Sequence, residues 1–297
     1  MNSGRHQMKL MVAFVALWAA EEALIGLLLG RYGLIQIVWL RFALHLVLLW
    51  AICGGTQGGA LWRTQRPGFQ LLRASMMVGM PACWALGARH GLSPATLMSV
   101  FWLAPLLILG LAGLFLKERV PAKVWLAAVA ACVGVFALTG PHAMPRAILL
   151  VYPLGMAMCF SVYVVMTRSL RNEPTRTNLF YTGLGVCLLL APLVPSGWVT
   201  PSVPDLLTLT GVALLGLGGL WALERLTAAA PVSAAAPLVY LQIPFAIGIA
   251  WGLGHYDPTL RTMGGLLVIG AVVLHAWLLE ARRAAPLVPD SAHQGLE

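Results

Sequence analysis

The sequence predicts an all-α membrane protein, a bundle of ten transmembrane helices built as a 5+5 inverted repeat with both termini in the cytoplasm. Three observations lead to this prediction. Of the 297 residues, 60% are hydrophobic and 10% are charged, against roughly 45–50% and about 25% in soluble domains. Basic residues segregate to alternate ends of the apolar segments, and the two halves share motifs in the same order. The composition excludes a water-soluble enzyme.

Ten apolar segments are separated by charged residues, Pro and Gly. A spanning helix needs about 20 mostly apolar residues, and the breaker residues set the boundaries. The first segment is interpreted as a retained helix and not a signal peptide, because two glutamates interrupt it and no cleavage site ends it. The polar tail at 284–297 is predicted to be a disordered cytoplasmic segment. The predicted spans are 8–29, 33–53, 70–88, 94–116, 123–140, 147–168, 177–195, 205–223, 231–253 and 260–280.

The formal net charge of +9 is better explained by orientation in a lipid bilayer than by nucleic-acid binding, because the basic residues lie singly or in small clusters between apolar segments. With Arg41 set aside inside span 2, fourteen Lys and Arg residues fall on one side of the membrane and four on the other. This asymmetry predicts that both termini are cytoplasmic. The larger group is Arg5, Lys9, Arg63, Arg66, Arg73, Lys117, Arg119, Lys123, Arg168, Arg171, Arg176, Arg225, Arg282 and Arg283, and the smaller is Arg31, Arg89, Arg146 and Arg261.

The cysteines indicate neither a metal site nor a disulfide framework, since they lie one per apolar segment with no CxxC or Cys/His spacing. We interpret them as small core residues. No glycine-rich nucleotide motif follows a strand, so no cofactor and no ATP-driven step is expected. The five are Cys53, Cys83, Cys132, Cys159 and Cys187.

Two motif pairs relate the halves of the chain. Trp84 begins a Trp-Ala-Leu triplet followed by Pro94, and Trp221 begins the same triplet followed by Pro231, at an offset of 137. Because each half holds an odd number of spans, the second half must be inverted in the membrane. Inverted repeats are characteristic of secondary transporters, whose substrate site lies near the midplane between the halves.

A proline followed thirteen residues later by an acid also occurs twice. The pairs are Pro105 with Glu118 and Pro244 with Asp257, at an offset of 139. The predicted domains are therefore a first five-helix repeat at 1–142 and a second at 143–283, followed by the tail.

Several motifs of the first half occur together: an apolar span ending in Trp18, Leu40-Arg41-Phe42, Leu92-Ser93-Pro94-Ala95-Thr96, Ala104-Pro105, Leu114-Phe115-Leu116-Lys117-Glu118-Arg119 and Gly134. With them, residues 8–280 resemble the EamA family of the drug/metabolite transporter superfamily. The resemblance implies a ten-helix carrier of the bacterial inner membrane with a central cavity lined by helices 1, 3, 4, 6, 8 and 9. Members of this family move unrelated small molecules, often outward. The second copy departs from the pattern, because Gly254-His255-Tyr256-Asp257 stands where a Gly-Glu pair is usual.

Glu21 and Glu22 are the sharpest functional signal. They lie near the middle of span 1, where a carboxylate is costly and usually faces a cavity or a partner. Trp18 precedes them by three and four residues, so an aromatic and an acid share one helix face, which suits a cationic or zwitterionic substrate. The functional hypothesis is proton coupling or cation recognition. The structural alternative is an ion pair with Arg41 or a wet crevice, with Trp18 packing between helices.

Arg41 and His45 lie four residues apart on span 2. A buried guanidinium commonly holds a neighbouring carboxylate or carbonyl in place, which favours a structural role for Arg41. His45 could exchange protons near neutral pH.

Further candidates follow from the helices that the resemblance places around the cavity. Aromatic walls with a few polar groups are typical of small-molecule sites. Each residue individually could equally serve packing. The candidate lining residues are Trp84, Trp102, Tyr163, Trp221, Tyr240 and Gln242.

Pro105 and Pro244 are candidate hinges, because each removes a helical hydrogen bond and permits a kink. Glu118 and Asp257 lie at the ends of the same two spans and are candidate gate acids. The alternatives are packing kinks and solvated interfacial charges.

The sequence as a whole indicates a secondary transporter that moves a small organic molecule by alternating access, with proton coupling through Glu21 and Glu22 as the leading mechanism. The family resemblance favours export. Uncoupled facilitative uptake is the alternative, and a membrane-embedded enzyme or a sensor is disfavoured because neither a catalytic cluster nor a soluble output domain is evident. The expected partners are a small-molecule substrate and lipid, and a homodimer is compatible with this interpretation.

Overall fold

The computed structural model describes residues 2–57, 61–139, 146–255 and 259–283, and every regular element in these ranges is helical. This confirms the prediction of an all-α chain for the described residues. Short 3-10 turns occur at Ala147–Leu150, Val194–Gly197 and Ala236–Leu241. The α-helices are α1 (Asn2–Leu28), α2 (Leu34–Gln57), α3 (Pro67–Arg89), α4 (Pro94–Phe101), α5 (Ala104–Phe115), α6 (Ala122–Thr139), α7 (Val151–Ser169), α8 (Thr175–Leu190), α9 (Val203–Ala229), α10 (Val232–Ala235), α11 (Gln242–Gly252) and α12 (Leu260–Arg283).

These helices occupy the ten predicted spans, with α4 and α5 sharing span 4 and α10 and α11 sharing span 9. Seven helical stretches in the described part of the chain are long and apolar enough to cross a membrane. Helices α6, α8 and α12 lie in the other three predicted spans. The seven are His6–Leu28, Leu34–Cys53, Pro67–Arg89, Pro94–Phe115, Ala147–Ser169, Val203–Ala229 and Val232–Gly252.

Spans 4 and 9 are both broken near their middle. Helix α4 ends at Phe101 and α5 begins at Ala104, so that Pro105 is the second residue of α5. In span 9 a 3-10 segment precedes α11, and Pro244 is the third residue of α11. A proline in the first turn of a helix removes no intrahelical hydrogen bond. Both prolines therefore mark the start of the second part of a broken span and do not interrupt a continuous helix.

The helices form two groups around the centre of the bundle. Helix α1 packs along α9 and α11, and α2 packs along α8 and α9. Helix α3 packs along α7 and α8, while α4 and α5 pack against α7. Helix α6 packs against α12 at one side. The group of α1, α2 and α9 therefore faces the group of α3, α4 and α7.

Small residues permit the close approach of α3 and α7. A Cβ atom at Gly79 would lie 2.6 Å from Sγ of Cys159, and one at Gly155 would lie 2.9 Å from Sγ of Cys83. The two contacts are reciprocal across the helix pair. Each sulfur atom fills space beside a glycine of the facing helix, which agrees with the interpretation of these cysteines as small packing residues.

The two ends of the bundle are named here by their connections. The distal end carries the connections 29–33, 90–93 and 191–202, and the proximal end carries the start of α1 and the connections 61–66, 116–121 and 170–174. The candidate gate acid Asp257 and the tail 284–297 lie outside the described residues.

Candidate functional site

A cavity of about 320 Å³ lies between the two helix groups. It extends from Leu29 and Leu34 at the distal end to Met77 and Leu223 in the interior. The wall is mainly apolar, and its charged residues are Glu21, Glu22 and Arg41. Its aromatic residues are Phe14, Trp18, Phe42, Trp84 and Phe160, and its methionines are Met77, Met80, Met98 and Met156.

Helices α1, α2, α3, α4, α7 and α9 supply this wall, which corresponds to spans 1, 2, 3, 4, 6 and 8. The family resemblance implied that span 9 lines the cavity, whereas in the structure span 2 lines it instead. The reason is the position of α11, which packs against α1. Helix α1 therefore separates α11 from the central cavity, whereas α2 reaches the cavity through Arg41 and Phe42.

One face of α1 carries the cavity's aromatic and acidic residues. Trp18 lies three and four residues before Glu21 and Glu22, Ile25 lies four and three residues after them, and all four line the cavity. The Trp18 ring lies 5.2 Å from the Phe160 ring, centroid to centroid. It also lies within 6.3 Å of the rings of Phe14, Phe101 and Trp102. This aromatic cluster joins α1 to α4 and α7 beside the acids.

Glu21 and Arg41 form a buried ion pair. Nε of Arg41 contacts Oε1 of Glu21, and Nη2 of Arg41 donates to Oε2 at 3.2 Å. The guanidinium also lies 4.4 Å from the Phe42 ring centroid. A Cβ atom at Gly216 would lie 2.6 Å from both Nε and Nη2 of Arg41. The absence of a side chain at Gly216 therefore lets the guanidinium sit against α9 while it holds Glu21.

Glu22 has a different environment from its neighbour. Its Oε2 accepts a hydrogen bond from Nε2 of Gln242 on α11 at 2.6 Å. Among the residues that the structure describes, it forms no ion pair. The structure thus joins Glu22 to Gln242 and Glu21 to Arg41, so the adjacent carboxylates have separate partners.

Glu22 also borders a second cavity, between α1 and α11. This crevice is lined by small residues of both helices and by Leu253 and His255 toward the distal end. Glu22 is the polar residue that the crevice and the central cavity share. A single carboxylate can therefore be reached from two different spaces.

His45 lies away from the cavity wall. It is buried, and its Nε2 lies 3.2 Å from the carbonyl oxygen of Leu179 on α8. Its ring packs 5.7 Å from the Phe42 ring. The structure therefore places His45 in the contact between α2 and α8, separate from Glu21 and Glu22.

The other predicted lining residues divide between several environments. Trp84 lies on the cavity wall. Trp102 and Tyr240 are buried behind it, and the Tyr240 hydroxyl donates to the carbonyl oxygen of Trp102 at 3.0 Å. Tyr163 is buried beside the Arg73 guanidinium, with 5.2 Å between Cζ and the ring centroid.

Trp221 lies on the outer surface of the bundle. Its side chain is 48% exposed, and Leu207 and Leu214, at seven-residue intervals on the same face of α9, are 70% and 50% exposed. This placement differs from the expectation that Trp221 lines the cavity. The buried face of α9 carries Gly216, Gly219 and Leu220 instead, because the repeat of 3.6 residues per turn places position 221 on the other side.

A fully buried polar cluster closes the interior below the cavity, and the sequence analysis did not identify it. Arg73 of α3 contacts Glu224 of α9, and Nη1 of Arg73 also donates to the Thr167 hydroxyl at 3.1 Å. Nη2 donates to the carbonyl oxygen of Asn178 at 2.7 Å and to the Thr182 hydroxyl at 2.9 Å.

The same cluster is closed by hydrogen bonds that do not involve Arg73. Nδ2 of Asn178 donates to Oε2 of Glu224 at 2.8 Å, and Nε2 of Gln70 donates to Oδ1 of Asn178 at 2.6 Å. Helices α3, α7, α8 and α9 all contribute to the cluster. Met77 follows Arg73 by one helical turn and lines the cavity floor, so the cluster separates the cavity from the proximal end.

Glu118 forms a second connection near the proximal end. Its carboxylate accepts hydrogen bonds from the backbone N–H groups of Val232 and Ser233, at 3.1 Å and 2.9 Å. Arg168 lies 3.9 Å from Glu118 and donates to the carbonyl oxygen of Thr227 at 2.6 Å. This candidate gate acid therefore joins α5 to α10, and Arg168 joins α7 to the end of α9.

At the distal end the polar contacts of Asp205 and Gln36 lie within one helix group. Asp205 of α9 accepts hydrogen bonds from the hydroxyl groups of Tyr32 and Ser202, both at 2.7 Å, and pairs with Arg31. Gln36 of α2 exchanges two hydrogen bonds with the backbone of Val199. These contacts hold α1, α2 and α9 together, and none of them crosses the cavity to α3, α4 or α7.

Among the described residues, no group of three or more His, Cys, Asp or Glu side chains is placed to hold a metal ion. The acids of the cavity wall are instead arranged for an ion pair and a hydrogen bond.

No protein-family model matches the chain. The S-adenosylmethionine uptake transporters of Rickettsia conorii and Rickettsia prowazekii are each 24% identical to it over 209 residues, which are 70% of this chain and 70% of each transporter. The riboflavin transporter of Vibrio cholerae is 22% identical over 222 residues, which are 72% of this chain and 74% of that protein. These relatives support membrane transport of a small metabolite as the general function, and a multi-pass membrane location.

A solved crystal structure of a protein has the same fold. It superposes with a TM-score of 0.81 at 18% sequence identity and covers 94% of this chain and 99% of its own. The similarity of fold thus extends over nearly the whole chain.

Proposed function

We propose that this protein is a secondary transporter of the bacterial inner membrane, which moves a small organic metabolite by alternating access. The observation that carries the proposal is a central cavity that reaches one end of the bundle while a buried polar cluster closes the other end. A binding space open to one side at a time is what alternating access requires. The names of the relatives support the same class of function.

In this proposal the distal end faces the outside and both termini are cytoplasmic. The distribution of Lys and Arg supports this orientation, because the larger basic group lies at the proximal connections. The cavity then opens outward, and the Arg73 cluster is the closed inner gate. Glu118 and Arg168 contribute to the same closed side.

The two halves at 1–142 and 143–283 are related in this proposal by the inverted repeat, which exchanges span 1 with span 6, span 2 with span 7, and so on. The helix packing supports it. Under this symmetry the α1–α9 contact is equivalent to the α7–α3 contact, and the α2–α9 contact is equivalent to the α8–α3 contact. The α1–α11 contact is likewise equivalent to the α7–α5 contact. All of these contacts occur. Within this proposal, the chain resembles the EamA family.

Proton coupling through the α1 acids is part of the proposal, and Glu22 is the stronger candidate. Glu21 is paired with Arg41, whereas the hydrogen-bond partners of Glu22, the Gln242 amide and the Trp18 side chain, are neutral. Glu22 also borders both cavities, so a proton can reach it from either space. Ionisable groups of this kind in membrane spans mark proton and substrate paths.

For the direction of transport we favour uptake, because the Rickettsia relatives are named as uptake transporters. Export is the second candidate, and it rests on the EamA resemblance. A secondary carrier follows the gradients of its substrate and coupling ion, so both directions use the same cavity.

The test is transport by the purified protein in proteoliposomes, with radiolabelled S-adenosylmethionine and riboflavin as the first substrates because the relatives carry these names. A carrier accelerates counterflow of its substrate into preloaded vesicles, and a proton-coupled carrier also accumulates it when a pH gradient is imposed. We expect Glu22→Gln to abolish pH-driven accumulation, and any counterflow that this variant retains to be independent of pH. Glu173→Gln, at a half-buried acid that lies between α7 and α8 and outside the cavity, is the matched control. Absence of counterflow for every metabolite in a wider panel would contradict the proposal of a transporter. Counterflow with no response to pH would contradict proton coupling and leave an uncoupled permease.

A further inference from the structure

The formal charges of the residues that line the central cavity do not sum to zero. Two carboxylates and one guanidinium line it, so its formal charge is −1. Both oxygens of Glu21 contact Arg41, and this pair is the neutral part of the site. Glu22 is the carboxylate that remains.

Arg41 is not positioned to receive an anionic group of a ligand. Its guanidinium is held between Glu21, the Phe42 ring and the backbone at Gly216. A carboxylate or phosphate on the ligand would have to displace Glu21, and a second uncompensated carboxylate would then remain in a low-dielectric site. The geometry therefore disfavours anions.

The walls beside Glu22 suit a positively charged aromatic group. Trp18 lies one helical turn before Glu22 on the same face, and Trp84 and Phe160 also line the cavity. Aromatic faces attract organic cations, and the four methionines of the wall supply polarizable, adaptable contacts. A cation beside Glu22 in the cavity would meet aromatic rings and the opposite charge together.

We infer that the substrate is an organic cation of net charge +1 with an aromatic ring, and that Glu22 is the residue that pairs with its charge. This inference rests on the proposed function, because it names the class of molecule that the transport cavity takes. Glu22 is then the specificity-determining residue. The Glu21–Arg41 ion pair has no net charge and holds α1 to α2.

The test measures binding to the detergent-purified full chain by isothermal titration calorimetry. Two matched pairs of probes separate charge from shape: 1-methylnicotinamide with neutral nicotinamide, and phenyltrimethylammonium with anionic benzenesulfonate. We expect each cation to bind about tenfold or more tighter than its partner, because an unpaired carboxylate in a partly desolvated cavity attracts a cation strongly. Binding of neither cation, or equal binding of the partners, would overturn the inference.

Three variants assign the preference to Glu22. Glu22→Gln is expected to reduce the affinity for each cation to that for its partner, and Glu22→Asp, which keeps the charge, should retain the preference. Glu173→Gln makes the same chemical change in the connection between α7 and α8, outside the cavity, and should bind as the native chain does. An undiminished preference in Glu22→Gln, confirmed as folded by a single size-exclusion peak, would contradict the role of Glu22.

The two proposals fail separately. Counterflow of a neutral or anionic metabolite without any preference for cations would refute the substrate class and leave the transporter intact. Binding of cations without counterflow of any metabolite would instead refute transport.

Discussion

At the scale of single residues, the environment of each side chain separates positions that look alike in sequence. Glu21 and Glu22 are adjacent, yet one pairs with Arg41 of α2 and the other with Gln242 of α11. Neighbouring residues on a helix point about 100° apart, so they meet different helices. The two tryptophans Trp18 of α1 and Trp221 of α9 also differ, since the first lines the cavity and the second faces outward.

The tryptophans provide a first prediction. Trp18→Ala should weaken binding of the cationic probes by about fivefold or more, because it removes the aromatic face next to Glu22. Trp221→Ala is the matched control, since it makes the same change on the outer face of α9. Titration calorimetry of both variants with 1-methylnicotinamide measures the difference. Equal affinities in the two variants would show that Trp18 does not contact the ligand.

Gly216 provides a second prediction. Gly216→Ala should destabilise the protein by about 1–3 kcal/mol, the usual cost of overpacking, because the new Cβ would lie 2.6 Å from two nitrogen atoms of Arg41 and displace them from Glu21. A lowered thermal unfolding midpoint would report this.

Gly219→Ala is the control for Gly216→Ala, because it lies one turn along the same face and its Cβ would meet Leu17 at an ordinary 3.8 Å. If the thermal unfolding midpoint of Gly216→Ala is as high as that of Gly219→Ala, the Arg41 guanidinium has room to move away from the new methyl group.

At the scale of helices, polar residues on apolar segments hold particular helices together. The Arg73 cluster joins α3, α7, α8 and α9 through side chains that are all buried. Arg73 and Glu224 come from spans far apart in sequence, and each has hydrogen-bond partners besides the other. Breaking a buried pair by removing one partner leaves a buried charge uncompensated. The cluster is thus both a packing element and the closed end of the cavity.

This arrangement predicts strong coupling between Arg73 and Glu224. Arg73→Met should lower the free energy of unfolding by about 3–5 kcal/mol, and Glu224→Gln should also be destabilising. The double variant should be more stable than the sum of the two effects implies, because it leaves no unpaired charge. Thermal unfolding of the four proteins in one double-variant cycle measures the interaction. Additive effects would show that the two residues do not act as a pair.

At the scale of the whole molecule, the two helix groups meet at the proximal end and separate around the cavity toward the distal end. Arg73 and Arg168 contact α9 across the groups near the proximal end, whereas the contacts of Asp205 and Gln36 at the distal end stay within one group. A relative movement of the groups would close the distal end and break the proximal cluster. In the transport cycle that we propose, the breaks in spans 4 and 9 would be the hinges for such a movement.

Access to the cavity provides the prediction at this scale. In a chain whose five cysteines are replaced by Ser or Ala, Leu29→Cys should react from outside intact cells with a membrane-impermeant maleimide, because Leu29 lines the cavity near the distal end. Arg66→Cys, in the exposed connection between α2 and α3, should react only after the membrane is permeabilised. The reverse pattern would invert the proposed orientation.

The sequence by itself determined the all-α fold, the approximate limits of the helices and the association of Glu21 with a membrane span. These properties depend on local composition and on the length of apolar segments, which are set by the requirement that a helix satisfies its own backbone hydrogen bonds in lipid. The positions of Glu21, Glu22 and Trp18 on one face follow from the helical repeat alone. For that reason the α1 part of the cavity could be predicted without the structure.

Only the tertiary structure decided which residues meet across helices. It selected Arg41 as the partner of Glu21, placed His45 in a packing contact, turned Trp221 outward and brought Arg73 to Glu224. The sequence signals for the Arg73 cluster were present, since Gln70 and Arg73 share a helix face as do Asn178 and Thr182, but charges near the ends of spans usually remain solvated. Burial of Arg73 depends on four helices that pack around it, and the rotation of each helix about its axis is set by contacts with its neighbours and not by its own sequence.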